Sequence, residues 1–214
     1  MEKYITILKE ETAEIVEKKS KFIANIIPVE SVEEAERQIK EIKKKYHDAR
    51  HNCIAYRVIE NEQVVEKASD NGEPSGTAGG PMLNILQKND LCNLIVIVTR
   101  YFGGILLGTG GLVRAYSEAT QKAIEKSIKI TKTKGIQIKV ELDYSNLESF
   151  KYYCKNNEIN IEKIDYFENV VLNVEMEENR KNTFLEDIET KTLNIQGLQV
   201  IGKKYINKTV EKNK

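Results

Sequence analysis

Nine of the twelve glycines fall in two short clusters, at 72–80 and 103–111, and between them lies the longest apolar run of the chain, Leu94-Ile95-Val96-Ile97-Val98. Glycine and proline at the density of Gly72-Glu73-Pro74-Ser75-Gly76-Thr77-Ala78-Gly79-Gly80-Pro81 exclude a regular element, so 70–81 is expected to be a shaped loop. The apolar run reads as a strand at the centre of a sheet, because a strand covered on both faces has no polar alternation. It leads into Arg100-Tyr101-Phe102-Gly103-Gly104. Gly108-Thr109-Gly110-Gly111 then opens a helix to about residue 126, with Leu112, Tyr116, Ala119 and Ala123 on one face. A strand, a glycine loop and a helix in series therefore constrain the rest of the fold.

Around that centre, 12–29 reads as extended structure broken by the charged Glu17-Lys18-Lys19-Ser20-Lys21 connection, as in a hairpin. Ser31-Val32-Glu33-Glu34 is a capping box, followed by Val32, Ala35, Ile39, Ile42 and Tyr46 at helical spacing. Two β-rich runs, 52–60 and 63–68, flank Glu60-Asn61-Glu62 as a second hairpin. A short helix is expected over 81–88, with proline at its first position. The polar stretch Thr131-Lys132-Thr133-Lys134-Gly135 reads as the domain boundary, giving domains at 1–132 and 135–207. Beyond it, a strand at 136–142, a helix behind a capping box at Ser145-Asn146-Leu147-Glu148, two strands about Asn169, a helix over 179–190 and a strand at 199–206 give the order βαββαβ. That order is the ferredoxin-like arrangement, and the fold class expected for the whole chain is α+β.

With 214 residues, two small domains each have enough chain to bury a core. Basic and acidic residues balance at 33 each, so any contact with RNA or the ribosome must come from a local patch. No apolar run approaches a membrane span, and the first residues carry neither an apolar signal core nor an Arg/Ser-rich transit pattern. Cys53, Cys92 and Cys154 are odd in number and form no C-x-x-C pair, which fits reduced thiols. A cytoplasmic protein without membrane contact is the resulting expectation.

Three segments carry chemistry. His47, Arg50, His51 and Cys53 stand within seven positions. His51 and Cys53 could be a base and nucleophile on one strand face, and His47, His51 and Asp70 could hold a metal; the plainer alternative is a core thiol with hydrogen-bonding histidines. In the first glycine loop Asp70 and Glu73 are acceptors, Thr77 is a polar neighbour, and backbone N–H groups could ring an anion; the alternative is a rigid turn. In the second, Gly103, Gly104, Gly108, Gly110 and Gly111 open a helix whose N-terminus can meet phosphate, with Arg100 and Arg114 supplying charge. The alternative there is close helix–sheet packing with Tyr101-Phe102 in the core. Gly103 and Gly108 have P-loop spacing, but Thr109 stands where the lysine belongs and G-x-G-x-x-G is absent, so no nucleotide or other cofactor is expected.

Taken together, Asp70-Asn71-Gly72-Glu73-Pro74-Ser75-Gly76-Thr77-Ala78-Gly79, Thr99-Arg100-Tyr101-Phe102-Gly103-Gly104 and Leu107-Gly108-Thr109-Gly110-Gly111-Leu112-Val113-Arg114-Ala115-Tyr116 closely resemble the IMPACT/YigZ family signature. His51-Asn52-Cys53-Ile54-Ala55-Tyr56 resembles it too. The resemblance implies a first domain with the β-α fold of the second domain of ribosomal protein S5, and a ferredoxin-like second domain similar to one near the end of elongation factor G. It also implies translational control, since eukaryotic members interfere with activation of a kinase that phosphorylates an initiation factor. The expectation is a non-enzymatic, translation-associated regulator binding RNA, the ribosome or a protein partner through the glycine loops. The rivals are a hydrolase built on Asp70, Glu73, His47 and His51, and a pure protein-binding module.

Overall fold

The computed structural model describes residues 2–190 and 193–207. The chain divides into two compact units, one of residues 3–130 and the other from Thr131 onward.

In the first unit the elements run β1 (Lys3–Ile7), β2 (Glu11–Glu17), β3 (Ser20–Pro28), α1 (Val32–Lys45), β4 (His51–Glu60), β5 (Gln63–Ser69), α2 (Gly79–Lys88), β6 (Leu94–Tyr101) and α3 (Gly108–Lys126). Five of the strands form one sheet in the order β2-β3-β6-β4-β5, antiparallel throughout. The apolar run is therefore its central strand. Alternation along β6 divides its side chains: Leu94, Val96 and Val98 enter the core beneath α2 and α3, while Ile95 and Ile97 enter the one beneath α1. Ser31 caps α1 by accepting from the Glu34 N–H at 3.0 Å, and Ala35, Ile39 and Ile42 are buried as the spacing predicts. Both hairpins turn on two left-handed residues, Lys18-Lys19 and Asn61-Glu62, the twist that suits a two-residue connection.

The strand β1 carries the aromatic and β-branched run Tyr4-Ile5-Thr6-Ile7, a strand signature outside the elements expected above; it is tied in where the Cys92 N–H donates to the Ile5 carbonyl and the Thr6 hydroxyl to that of Asn93. The helix expected at 81–88 starts earlier, at Gly79, whose N–H has a side-chain partner described below.

The second unit comprises β7 (Lys129–Leu142), α4 (Leu147–Asn156), β8 (Asn160–Tyr166), β9 (Val170–Glu177), α5 (Lys181–Glu189) and β10 (Gly197–Asn207). The strand order β10-β7-β9-β8 is the ferredoxin-like one. Ile136, Ile138, Val140 and Leu142 on β7 pack with Phe150, Cys154 and Phe184 of the two helices. Two details differ from expectation. The polar stretch 131–135 is no connection but part of β7, paired to β10 as far as Asn207 opposite Lys132; ladder bonds hold a strand of half-buried Thr and Lys as well as an apolar one. At α4 the capping residue is Asn146, not Ser145, and no side chain caps it, because a 3-10 turn at Tyr144–Asn146 leads into the helix. Among the described residues no helix is long and apolar enough to cross a membrane.

Candidate functional site

Arg100 is where expectation and structure diverge most. Continuing the alternation of Leu94, Val96 and Val98, it projects onto the buried face of the first sheet and is 7% exposed. Its Nη1 donates to Glu73 Oε1 at 2.7 Å, and that oxygen also accepts from the Tyr116 hydroxyl at 2.8 Å. Nη2 is 3.5 Å from Ser20 Oγ, while the guanidinium carbon lies over the rings of Phe22 and Phe102, 5.5 and 5.6 Å from their centroids. Only Nε is left without a partner. This cation is enclosed, and the phosphate contact expected of it is corrected: its charge is directed at Glu73 and not at solvent.

The consequence is mechanical. Glu73 comes from the first glycine loop, Arg100 from the end of β6 leading to the second, and Tyr116 from α3 behind the second. One buried carboxylate thus ties both loops to the sheet and the helix. In a low-dielectric setting such a pair is held by geometry and hydrogen bonds, and removal of one partner is far more costly than the net worth of the pair.

Asp70 closes the first loop on itself. Its Oδ2 accepts from Gly76 N–H at 2.8 Å and its Oδ1 from the N–H groups of Ala78 and Gly79 at 2.9 and 2.8 Å. The ring of donors expected to bind an anion is occupied by the chain's own carboxylate, which also satisfies the first N–H of α2. Burial pushes the Asp70 carboxyl up, but the donors from Gly76, Gly79 and Ala78 outweigh it and hold it below its ordinary value of 3.8. A lowered folded-state value means the stabilisation is complete above the unfolded value and is lost as pH falls through the folded one. The stability deficit of Asp70→Ala relative to the natural chain, measured by urea unfolding, should be full above about pH 5 and shrink below 3.8.

The remaining candidates are dispersed in role. His51 Nδ1 lies 3.0 Å from the Asn71 carbonyl, which can only accept, so His51 donates and fixes the turn. Cys53 donates to the Asp70 carbonyl at 2.9 Å; burial, opposed by the Tyr116 hydroxyl, pushes its thiol up to about 12, far from a nucleophile's range. Thr77 is buried and its hydroxyl donates to the Pro74 carbonyl at 2.6 Å. His47, with a side chain 81% exposed, and Arg50 stand in solvent before β4. Arg114 is exposed on α3 with no ion-pair partner among the described residues. No group of three or more His, Cys, Asp or Glu able to hold a metal occurs among them.

The glycines of the second loop divide by surroundings. A Cβ on Gly103 would fall 2.0 Å from the Lys19 carbonyl carbon and 2.4 Å from Ser20 N, and the Gly103 N–H donates to Ser20 Oγ at 3.1 Å. Backbone meets backbone there. Gly104 and Gly108 adopt positive φ, and a Cβ on either, or on Gly110, meets nothing; one on Gly111 would press Leu107. Gly103→Ala should therefore lower stability by about 3 kcal/mol, since neither backbone can yield. Gly110→Ala, in the exposed first turn of α3, should raise it by about 0.5–1 kcal/mol; thermal unfolding of the two variants checks both signs.

Outward from this framework the surface is apolar. Leu106 is 83% exposed, Phe102 56% and Ile105 42%. The alternative that put Phe102 in the core does not hold for that ring, and Ile105 and Leu106 were no part of the expected site. The available signal was three large apolar residues inside a glycine loop, where no helical or strand period could bury them.

Residues 18–124 match the Impact N-terminal domain, and residues 140–192 match a domain of unknown function, DUF1949. IMPACT family member YvyE of Bacillus subtilis is 40% identical over 184 residues, covering 86% of this chain and 84% of that protein. IMPACT family member YigZ of Escherichia coli is 34% identical over 158 residues, covering 73% and 78%. A crystal structure of a hypothetical protein superposes with a TM-score of 0.64 at 30% identity, covering 93% of this chain and 98% of that one.

Proposed function

Because the chain belongs to the IMPACT family, we propose that it is a translation-associated regulatory protein of the cytoplasm that acts by docking, with the glycine-loop surface of its first unit as the contact. The observation that carries this reading is the outward face of loop 102–107. Phe102, Ile105 and Leu106 project from it while Glu73, Arg100 and Tyr116 are bonded inward. Exposed large apolar residues bordered by bare glycines suit the desolvated centre of an interface.

Charge narrows the partner. A phosphate-tracking surface draws affinity from several free cations, and with Arg100 enclosed, only Arg50 and Arg114 of the three candidate arginines remain exposed. We therefore place the contact on a protein surface of the translation machinery. Contact with RNA phosphate is the second reading. It is supported by the N-terminus of α3, where Leu107 provides no side-chain cap, no acid occupies the first turn, and Gly108, Thr109 and Gly110 are exposed. The hydrolase reading needs a carboxylate free to exchange protons, whereas both oxygens of Asp70 accept from backbone N–H groups and Glu73 is buried with its Oε1 held by Arg100 and Tyr116.

Co-sedimentation with intact ribosomes and with protein-free ribosomal RNA, at low and high salt, tests the choice. Protein docking predicts binding to ribosomes that survives high salt and little binding to the RNA. Binding to both that collapses as salt rises belongs to phosphate contact.

A further inference from the structure

The second unit carries a cleft that none of the preceding argument uses. It occupies about 330 Å³ between one face of α4 and the segment at Leu193 and Asn194. Its walls are unusual for this chain: 31% of all residues are charged, yet among the described residues none that lines it is charged. The α4 face instead offers Asn146, Ser149, Phe150, Tyr153, Asn156 and Asn157, spaced as successive turns of a helix.

The cleft is built and not merely hollow. Phe150 and Leu193 are buried and supply an apolar floor. Tyr153 is fixed by donating to Asp187 on α5, and Asn157 by donating to the Tyr153 carbonyl at 3.0 Å. The side-chain amides of Asn146, Asn156 and Asn194, by contrast, hydrogen-bond no group among the described residues. Tyr152 stands at the rim with 69% of its surface exposed.

The described lining residues offer no counter-charge to a phosphate, carboxylate or ammonium group, so a charge entering beside them would lose hydration without gaining an ion pair from them. Amides that each offer a donor beside an acceptor match a ligand with the same pairing along a planar edge, as asparagine matches adenine. An exposed phenol ring at the mouth offers such a ring a stacking face. We infer that this cleft binds a neutral nucleobase, its edge on the free asparagine amides and its face on Tyr152. The base can come from a free nucleoside or from an unpaired position in RNA. The inference is independent of the first unit's apolar surface, and either can fail without the other.

The test is nuclear magnetic resonance titration of the full-length chain, following the asparagine side-chain amides, with adenosine, guanosine, cytidine and uridine. Methyl glucoside is the control for hydroxyl-rich ligands, and a short single-stranded oligoribonucleotide is a separate arm. The inference predicts saturable shifts at Asn146, Asn156 and Asn194 with at least one nucleoside, and about tenfold or greater weakening in Tyr152→Ala. Asn194→Ala should weaken binding while the backbone spectrum stays that of the folded chain. An oligoribonucleotide that binds tighter than its nucleoside, with the same dependence on Tyr152, places the base in RNA; one that does not places it in a free nucleoside. Absence of saturable shifts with every nucleoside, tighter binding of methyl glucoside, or nucleoside binding indifferent to both substitutions would overturn it.

Discussion

Replacing Glu73 by alanine should destabilise the first unit by about 3–5 kcal/mol, the cost of leaving a buried guanidinium without its counter-charge. Glu73 Oε1 is the acceptor for both Arg100 and Tyr116, so one substitution strands two donors inside the protein. Domains of ordinary stability hold only about 5–15 kcal/mol in total, so the loss should be plain in urea unfolding and in amide exchange along β6. Tyr116→Phe removes one bond and leaves the ion pair, and should cost about 1–2 kcal/mol. Adding Arg100→Met to the Glu73 variant should recover part of the loss, because the unpaired charge disappears with its partner. A Glu73 variant within 1 kcal/mol of the natural chain would mean that the pair does not hold the loops together.

The second large effect is on docking. Leu106→Asp should weaken binding to ribosomes by about thirtyfold or more, the loss of roughly 2 kcal/mol that marks an interface hot spot. Leu106 is the most exposed large apolar side chain among those described, so the same substitution should leave stability within about 0.5 kcal/mol. Loss of binding without loss of fold separates a contact from a structural role. Arg114→Ala is the counterpart on the neighbouring helix and should change affinity less than about threefold if phosphate contributes little. Phe102→Ala is expected to weaken binding and stability together, since that ring also covers Arg100.

What could be read from the chain alone followed local periodicity. The unbroken apolar character of 94–98 located the central strand, Ser31 and Glu34 the start of α1, and short polar connections the hairpins. Where long-range pairing decides, the chain is silent: 131–135 is polar and basic like a connection, yet β10 pairs with it from more than sixty residues away. The glycine segments were recognised as the distinctive chemistry, but their division of labour depends on register. Phe22 and His51 both lie opposite Arg100 across the sheet, and Glu73 reaches it from 27 residues away, so the cation expected outside is enclosed. Alternation offered the one local clue, because Arg100 continues the face of Leu94, Val96 and Val98. The apolar loop face is legible in composition, as Phe102, Ile105 and Leu106 among glycines, but no helical or strand period marks which way it points.

The central claim is that the outward face of the second glycine loop meets a protein of the translation machinery. A photoreactive phenylalanine analogue placed at Leu106, with a control at Lys122 on the far part of α3, tests it most directly when the labelled chain is irradiated on ribosomes and the products are digested with ribonuclease. The account predicts a discrete, ribonuclease-resistant adduct to one ribosomal or ribosome-bound protein from position 106 and none from position 122. Adducts that vanish with ribonuclease, or a yield no greater than that of the control, would contradict it.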